Sequence, residues 1–187
     1  MGARERTNSQ DSVSEELRDW MAHLPGVSPD IEAARQRVAK LARLLERALA
    51  KIAARHDLTM GDWEALSFLQ RSGSPCERSP KELAAELGVT SGTMSVRIER
   101  LTQAGLVEPG VARPDGRSRP VRLTERGRRR WRAATAERTK AEHALWRGAL
   151  SAEELGQLNP LLAKLLSHLE ERFGAAPRHG ALRSGDG

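Results

Sequence analysis

Apolar residues recur at helical spacing along most of this chain. The longest run lies between Pro29 and Arg55, where Ile31, Ala34, Val38, Leu41, Leu45, Ala48 and Ile52 step alternately by 3 and 4, as one buried helix face requires. Leu44 and Leu49 widen that stripe, and Ser28 is its N-cap. Ahead of it, Ser14 to His23 predicts a short helix carrying Leu17, Trp20, Met21 and Leu24, broken at Pro25-Gly26. Behind it, Thr59 caps a helix to about Arg71 that buries Trp63, Leu66 and Leu69, and Ser72 to Arg78 reads as a loop. Near the C-terminus Ser151-Ala152-Glu153-Glu154 is a capping box. It opens a helix with Leu155, Leu158, Leu162, Leu165, Leu169 and Phe173 on one face, inside which Asn159-Pro160 is expected to restart or kink the chain.

The middle of the chain changes rhythm. Ser79-Pro80-Lys81-Glu82 is a second capping box with Pro at the first helical position, and Leu83 and Leu87 follow one turn apart before Gly88. After a tight turn Thr90 caps another helix, to about Ala104, whose Met94, Ile98 and Leu101 make one buried seam. Ser95, Val96, Glu99 and Gln103 then face away, with Arg97 and Arg100 on the flanks. Gly105 ends it. A short apolar strand, Leu106-Val107-Glu108, runs into a Gly/Pro/Arg loop and returns as Val121-Arg122-Leu123, after which Thr124-Glu125-Arg126-Gly127 starts a long helix ending near Gly148. Two helices across a short turn, backed by a basic hairpin, predict a winged helix-turn-helix. The fold class is mainly α (α+β), with long N- and C-terminal dimerisation helices and a β-hairpin wing.

Composition narrows this further. The 187 residues are 39% hydrophobic and only 3% aromatic, with no Tyr, so Leu and Ala must do most of the packing. No apolar run approaches the roughly 18 residues of a membrane span, and the N-terminus lacks the apolar centre of a secretion signal. The one cysteine, Cys76, excludes an intrachain disulfide and fits a cytoplasmic location. The five His are scattered, with no metal-ligand spacing, and no nucleophile elbow is present. The sequence therefore predicts no enzyme, no metal site and no cofactor. The net charge of +6 is concentrated: residues 91–133 hold eleven Arg against four acids, 11 − 4 = +7. That excess sits on the helix and hairpin already aimed at a polyanion, which points to double-stranded DNA.

Docked as helix-turn-helix proteins dock, the helix beginning at Ser91 enters a major groove and the wing lies against the minor groove or the phosphates. Thr90, Ser91, Thr93 and Ser95 are then candidates for phosphates or base edges, Val96 for a thymine methyl, and Arg97 and Arg100 for guanine. Arg113, Arg117 and Arg119 line the minor groove. The expected organisation is an N-terminal extension (1–28), a helical dimerisation region (29–56 and 126–174), a winged-helix domain (57–125) and a disordered tail (175–187). Together the terminal elements offer more apolar stripe than one lobe needs, which predicts a homodimer. Two other readings share these features: a nonspecific architectural DNA-binding protein, and a winged-helix protein-interaction module.

The ordered set Ser79-Pro80-Lys81-Glu82-Leu83-Ala84, Thr90-Ser91-Gly92-Thr93-Met94, Arg97-Ile98, Arg100-Leu101, Ala104-Gly105-Leu106-Val107, Asp115-Gly116-Arg117 and Leu123-Thr124-Glu125-Arg126-Gly127 resembles the MarR family of winged-helix transcription regulators over residues 29–173. The resemblance implies a homodimer on pseudo-palindromic promoter DNA, often a repressor released by a small ligand. It also implies a wing in which Asp115 holds Arg117 against the minor groove. A helix bearing Trp20 ahead of the first long helix is similar to the family's urate-responsive branch. That branch implies ligand contacts at Trp20, Glu64 and Arg97. Glu64 replaces the branch's Asp, and Pro109 stands where a second Arg is expected. The effector implied is accordingly another small anionic or phenolic molecule rather than urate.

Overall fold

The computed structural model describes residues 11–21, 23, 26–111 and 119–175. The predicted disordered tail falls almost wholly outside those residues, and so does the wing tip with Arg113, Asp115 and Arg117. The elements in order are α1 (Ser12–Met21), α2 (Pro29–Arg55), α3 (Met60–Arg71), β1 (Glu77–Arg78), α4 (Pro80–Glu86), α5 (Ser91–Gln103), β2 (Val107–Pro109), β3 (Val121–Leu123), α6 (Glu125–Ala149) and α7 (Ala152–Phe173).

The boundaries follow from caps. Thr59, Ser79, Thr90, Thr124 and Ser151 each accept from the backbone N–H three residues on, satisfying a donor that the first helical turn leaves orphaned. Pro160 does not restart the chain. It lies inside α7, which runs unbroken through it. The loop expected over Ser72–Arg78 also differs, because Glu77 and Arg78 pair with Arg122 and Val121 as β1. The sheet is antiparallel in the order β1-β3-β2. A two-residue strand with no alternating pattern leaves little trace in sequence.

The chain divides into two compact units, Met1–Leu49 and Ala50–Gly187. In the first, α1 is laid on α2 by polar contacts: Arg37 donates to Asp11 at 2.8 Å and to Ser14 Oγ at 3.0 Å, and Lys40 pairs with Glu16 at 2.7 Å. Val13 and Ala33 are buried, while Ile31, Val38, Leu41 and Leu44 are exposed.

The second unit holds the main core: Ala53, Leu58, Ala65, Leu66, Leu69, Leu83, Ala84, Leu87, Met94, Leu101, Leu106, Val107, Val121, Leu123 and Ala134. Two tryptophans join α3 to α6 by their indole N–H groups. Trp63 donates to Thr135 Oγ1 at 3.0 Å, and Trp131 to Ser67 Oγ at 2.8 Å. The Arg138 guanidinium lies 4.1 Å above the Trp63 ring, a cation–π contact. By contrast α7 buries none of its residues, and Leu161, Leu162, Leu165, Leu166, Leu169 and Phe173 are exposed along it.

Candidate nucleic-acid interface

The site is built on the α4–turn–α5 unit. Helix α4 is capped by Leu87, and Gly88 takes the left-handed backbone (φ +62) that a side chain would resist. The turn closes when Val89 N–H donates to the Ala84 carbonyl at 3.0 Å. Thr90 then caps α5, receiving the Thr93 N–H at 3.2 Å. Met94 and Leu101 are buried and Ile98 packs partly buried beside them, as the seam predicts. That burial fixes the rotation of the helix. Ser91, Gly92, Thr93, Ser95, Val96 and Glu99 consequently face solvent, with Val96 at 68% exposure.

Local hydrogen bonds occupy much of the hydroxyl row. Ser95 Oγ donates to the Ser91 carbonyl at 2.9 Å, and the Thr90 and Thr93 hydroxyls share a bond of 2.9 Å. Among the residues predicted for this face, the two arginines are placed differently. Arg97 lies against Gly61, where an added Cβ would collide with its guanidinium, and its Nη1 is buried without a partner. Arg100 turns to the first turn of α3, where Nη2 donates to Asp62 Oδ1 and to Thr59 Oγ1 at 3.1 Å. The sequence reading aims both at guanine. In the folded chain both side chains lie against α3, Arg100 on the buried Asp62 carboxylate and Arg97 over the Gly61 backbone.

Ion pairs also run through the basic patch. Arg122 pairs across the sheet with Glu108 at 2.8 Å, and Arg128 and Arg129 pair with Glu125 at 2.9 and 3.7 Å. Arg130 pairs with Asp57 at 2.8 Å and donates to the His56 carbonyl. Asp57 and Asp62 lie outside the segment whose charge stands out in sequence, so the fold neutralises part of that excess. Arg119 remains exposed on the approach to β3. Sequence reasoning missed Asp62 and Gly61. Their signal is present, since Thr59-x-x-Asp62 has the spacing of a capping box, and the box forms.

The candidate effector contacts divide between the units. Trp20 is 57% exposed on α1. It lines a cleft of about 240 Å³ with Glu16, Arg35, Gln36, Ala39, Lys40 and Arg43. Glu64 on α3 is half-buried, as is Arg97. Among the described residues no group of His, Cys, Asp or Glu could hold a metal.

A helix-turn-helix with its second helix rotated outward, a three-stranded sheet and a hairpin behind it define a winged-helix protein. Residues 56–118 match the MarR family, and the chain carries a MarR-family domain. The regulator PecS of Dickeya dadantii (strain 3937), named as an HTH-type transcriptional regulator, is 26% identical over 157 residues, covering 84% of this chain and 94% of PecS. AbsC, a MarR family transcriptional regulator from Streptomyces coelicolor, superposes with a TM-score of 0.66 at 24% identity, covering 79% of this chain and 99% of AbsC. A mutant MarR from E. coli, complexed with operator DNA, gives 0.60 at 23%, covering 73% of this chain and 96% of that one.

Proposed function

We propose that this protein is a sequence-specific DNA-binding transcriptional regulator. It acts as a homodimer on a pseudo-palindromic promoter site in the cytoplasm, represses there, and is released by a small anionic or phenolic effector. The observation that carries the reading is the rotation of α5: its seam is buried, and Ser91, Thr93, Ser95 and Val96 are turned to solvent at the exposed end of a helix-turn-helix. Hydroxyls and one apolar group at that end suit phosphates, base edges and a thymine methyl. The mutant E. coli MarR, which shares the fold, was solved with operator DNA, which supports the same use of this surface. The exposed Leu rows of α2 and α7 supply the second part of the reading, a partner copy that covers them and sets two reading helices about one DNA turn apart.

Effector release follows from linkage. A ligand that binds better when the two reading helices are wrongly spaced must lower DNA affinity by the same factor. Trp20, Glu64 and Arg97 are the proposed contacts. The test is selection of bound DNA from a random pool, footprinting of the winning site, and addition of aromatic carboxylates and phenols. One protected inverted repeat that is lost with an effector is the expected outcome. Even coverage of all DNA would replace this reading with an architectural one.

A further inference from the structure

One of the two arginines predicted to read guanine, Arg100, is held by a buried carboxylate. Asp62 is the third residue of α3, and its side chain is only 4% exposed. Its Oδ2 accepts from both the Thr59 N–H and the Thr59 hydroxyl, each at 2.8 Å. Its Oδ1 takes the Arg100 guanidinium, which also donates to Thr59 Oγ1 at 3.1 Å. One carboxylate therefore closes the N-terminal cap of α3 and ties the reading helix to it. One turn earlier on α5, Arg97 packs over Gly61 of the same α3 turn. Two arginines three residues apart thus grip a single helix end.

We infer that Arg100 is a positioning residue: it fixes α5 to the capped start of α3 and makes no contact with DNA. The inference rests on the proposal that α5 enters the major groove. Arg100 sits at the edge of the exposed face of α5 with 52% of its side chain in water, so a phosphate could compete for it. Drawing it away would leave Asp62 Oδ1 buried without its donor. A buried carboxylate robbed of its charged partner costs more than one further phosphate contact returns. The guanidinium stays on Asp62, and the α3 cap and α5 move as one piece.

The test uses the full chain and the DNA site that the wild type selects. Arg100→Gln, Arg100→Lys, Asp62→Asn and the Asp62→Asn/Arg100→Gln double variant are compared in Kd, in the salt dependence of Kd, and in melting temperature. The expected result is that each single variant weakens binding on the order of tenfold. The double variant is then no worse than either parent, and every salt slope stays within about half a unit of wild type. Lys fails as a substitute because its ammonium ends one bond short of Nη2, the atom that makes both contacts.

Two outcomes overturn the inference. One is a slope lowered by about one unit in Arg100→Gln, with Arg100→Lys near wild type and Asp62→Asn binding more tightly; Arg100 would then be a phosphate contact that Asp62 withholds. The other is unchanged affinity in all variants. If Asp62→Asn does not fold, the lysine variant separates the alternatives alone. A wild-type chain that selects no site overturns the DNA reading beneath the inference. The pairing is then judged by melting temperature, where additive losses in the double variant would dissolve it.

Discussion

A methyl group on residue 127 would collide with the Leu106 carbonyl oxygen and lie 2.9 Å from Leu123 Cδ1. Gly127 is where the first turn of α6 crosses the chain leaving α5, and Thr124 holds the same crossing by donating its hydroxyl to the Gly105 carbonyl at 2.8 Å. Gly127→Ala should destabilise the protein by about 1–3 kcal/mol, toward the upper end because the obstacle is backbone. The midpoint of denaturant unfolding measures this. Gly61→Ala should cost less, since there the obstacle is the movable end of Arg97. Titration also acts at single residues. The His56 ring accompanies Arg55 on the Glu137 carboxylate, at 2.8 and 2.5 Å, and these contacts hold Glu137 below its ordinary 4.5, His56 first. A carboxyl depressed on folding stabilises above its unfolded value and loses that contribution as pH falls through the folded one. The wild type should therefore melt above Glu137→Gln near neutral pH, and the difference should close as pH drops below about 4. A constant gap down to acid would show the pair to be irrelevant. Glu32 titrates in the same sense, held down to about 2 by Arg35 and Gln36.

Elements obey rules that act over short stretches of chain. Every helix whose cap residue is Ser or Thr with an acid or a small residue three positions on begins where its sequence places it, because capping is settled within four residues. Ser79→Ala, which removes the acceptor for Glu82 N–H, should cost about 1 kcal/mol in thermal or denaturant unfolding. In the wing, Arg117→Ala should weaken binding to all DNA sequences and lower the salt slope by about one unit, and an unchanged slope would exclude the wing from the interface. Two elements were not legible. Strand β1 exists only because β3 offers it a free edge, a partner more than forty positions away. Pro160 is tolerated inside a helix that buries none of its own residues, so the chain around it can adjust at little cost.

At the scale of the whole molecule the dominant feature is surface that one copy leaves uncovered. The α7 row from Leu161 to Phe173 and the α2 row of Ile31, Val38, Leu41 and Leu44 are exposed, and apolar residues gathered along a helix face mark an interaction surface. Sedimentation at micromolar concentration should give a dimer. Leu165→Asp, on a helix that contributes nothing to the core, should shift it to monomer while leaving the circular dichroism of each chain intact. A variant that stays dimeric would remove α7 from the interface.

The sequence by itself determined the order of the helices, the starts of those opened by a Ser or Thr cap, the buried seam of α5 and the outward direction of Ser91, Thr93, Ser95 and Val96, whereas α1, expected over Ser14 to His23, forms over Ser12–Met21. Caps, helical periods and turn glycines act between residues a few positions apart, so their outcome can be read locally. Tertiary structure alone decided which arginines keep a free charge. Asp57, Asp62 and Glu108 stand 73, 38 and 14 positions from the guanidinium groups they hold. Attraction between opposite charges depends on distance in space, and only folding sets that distance.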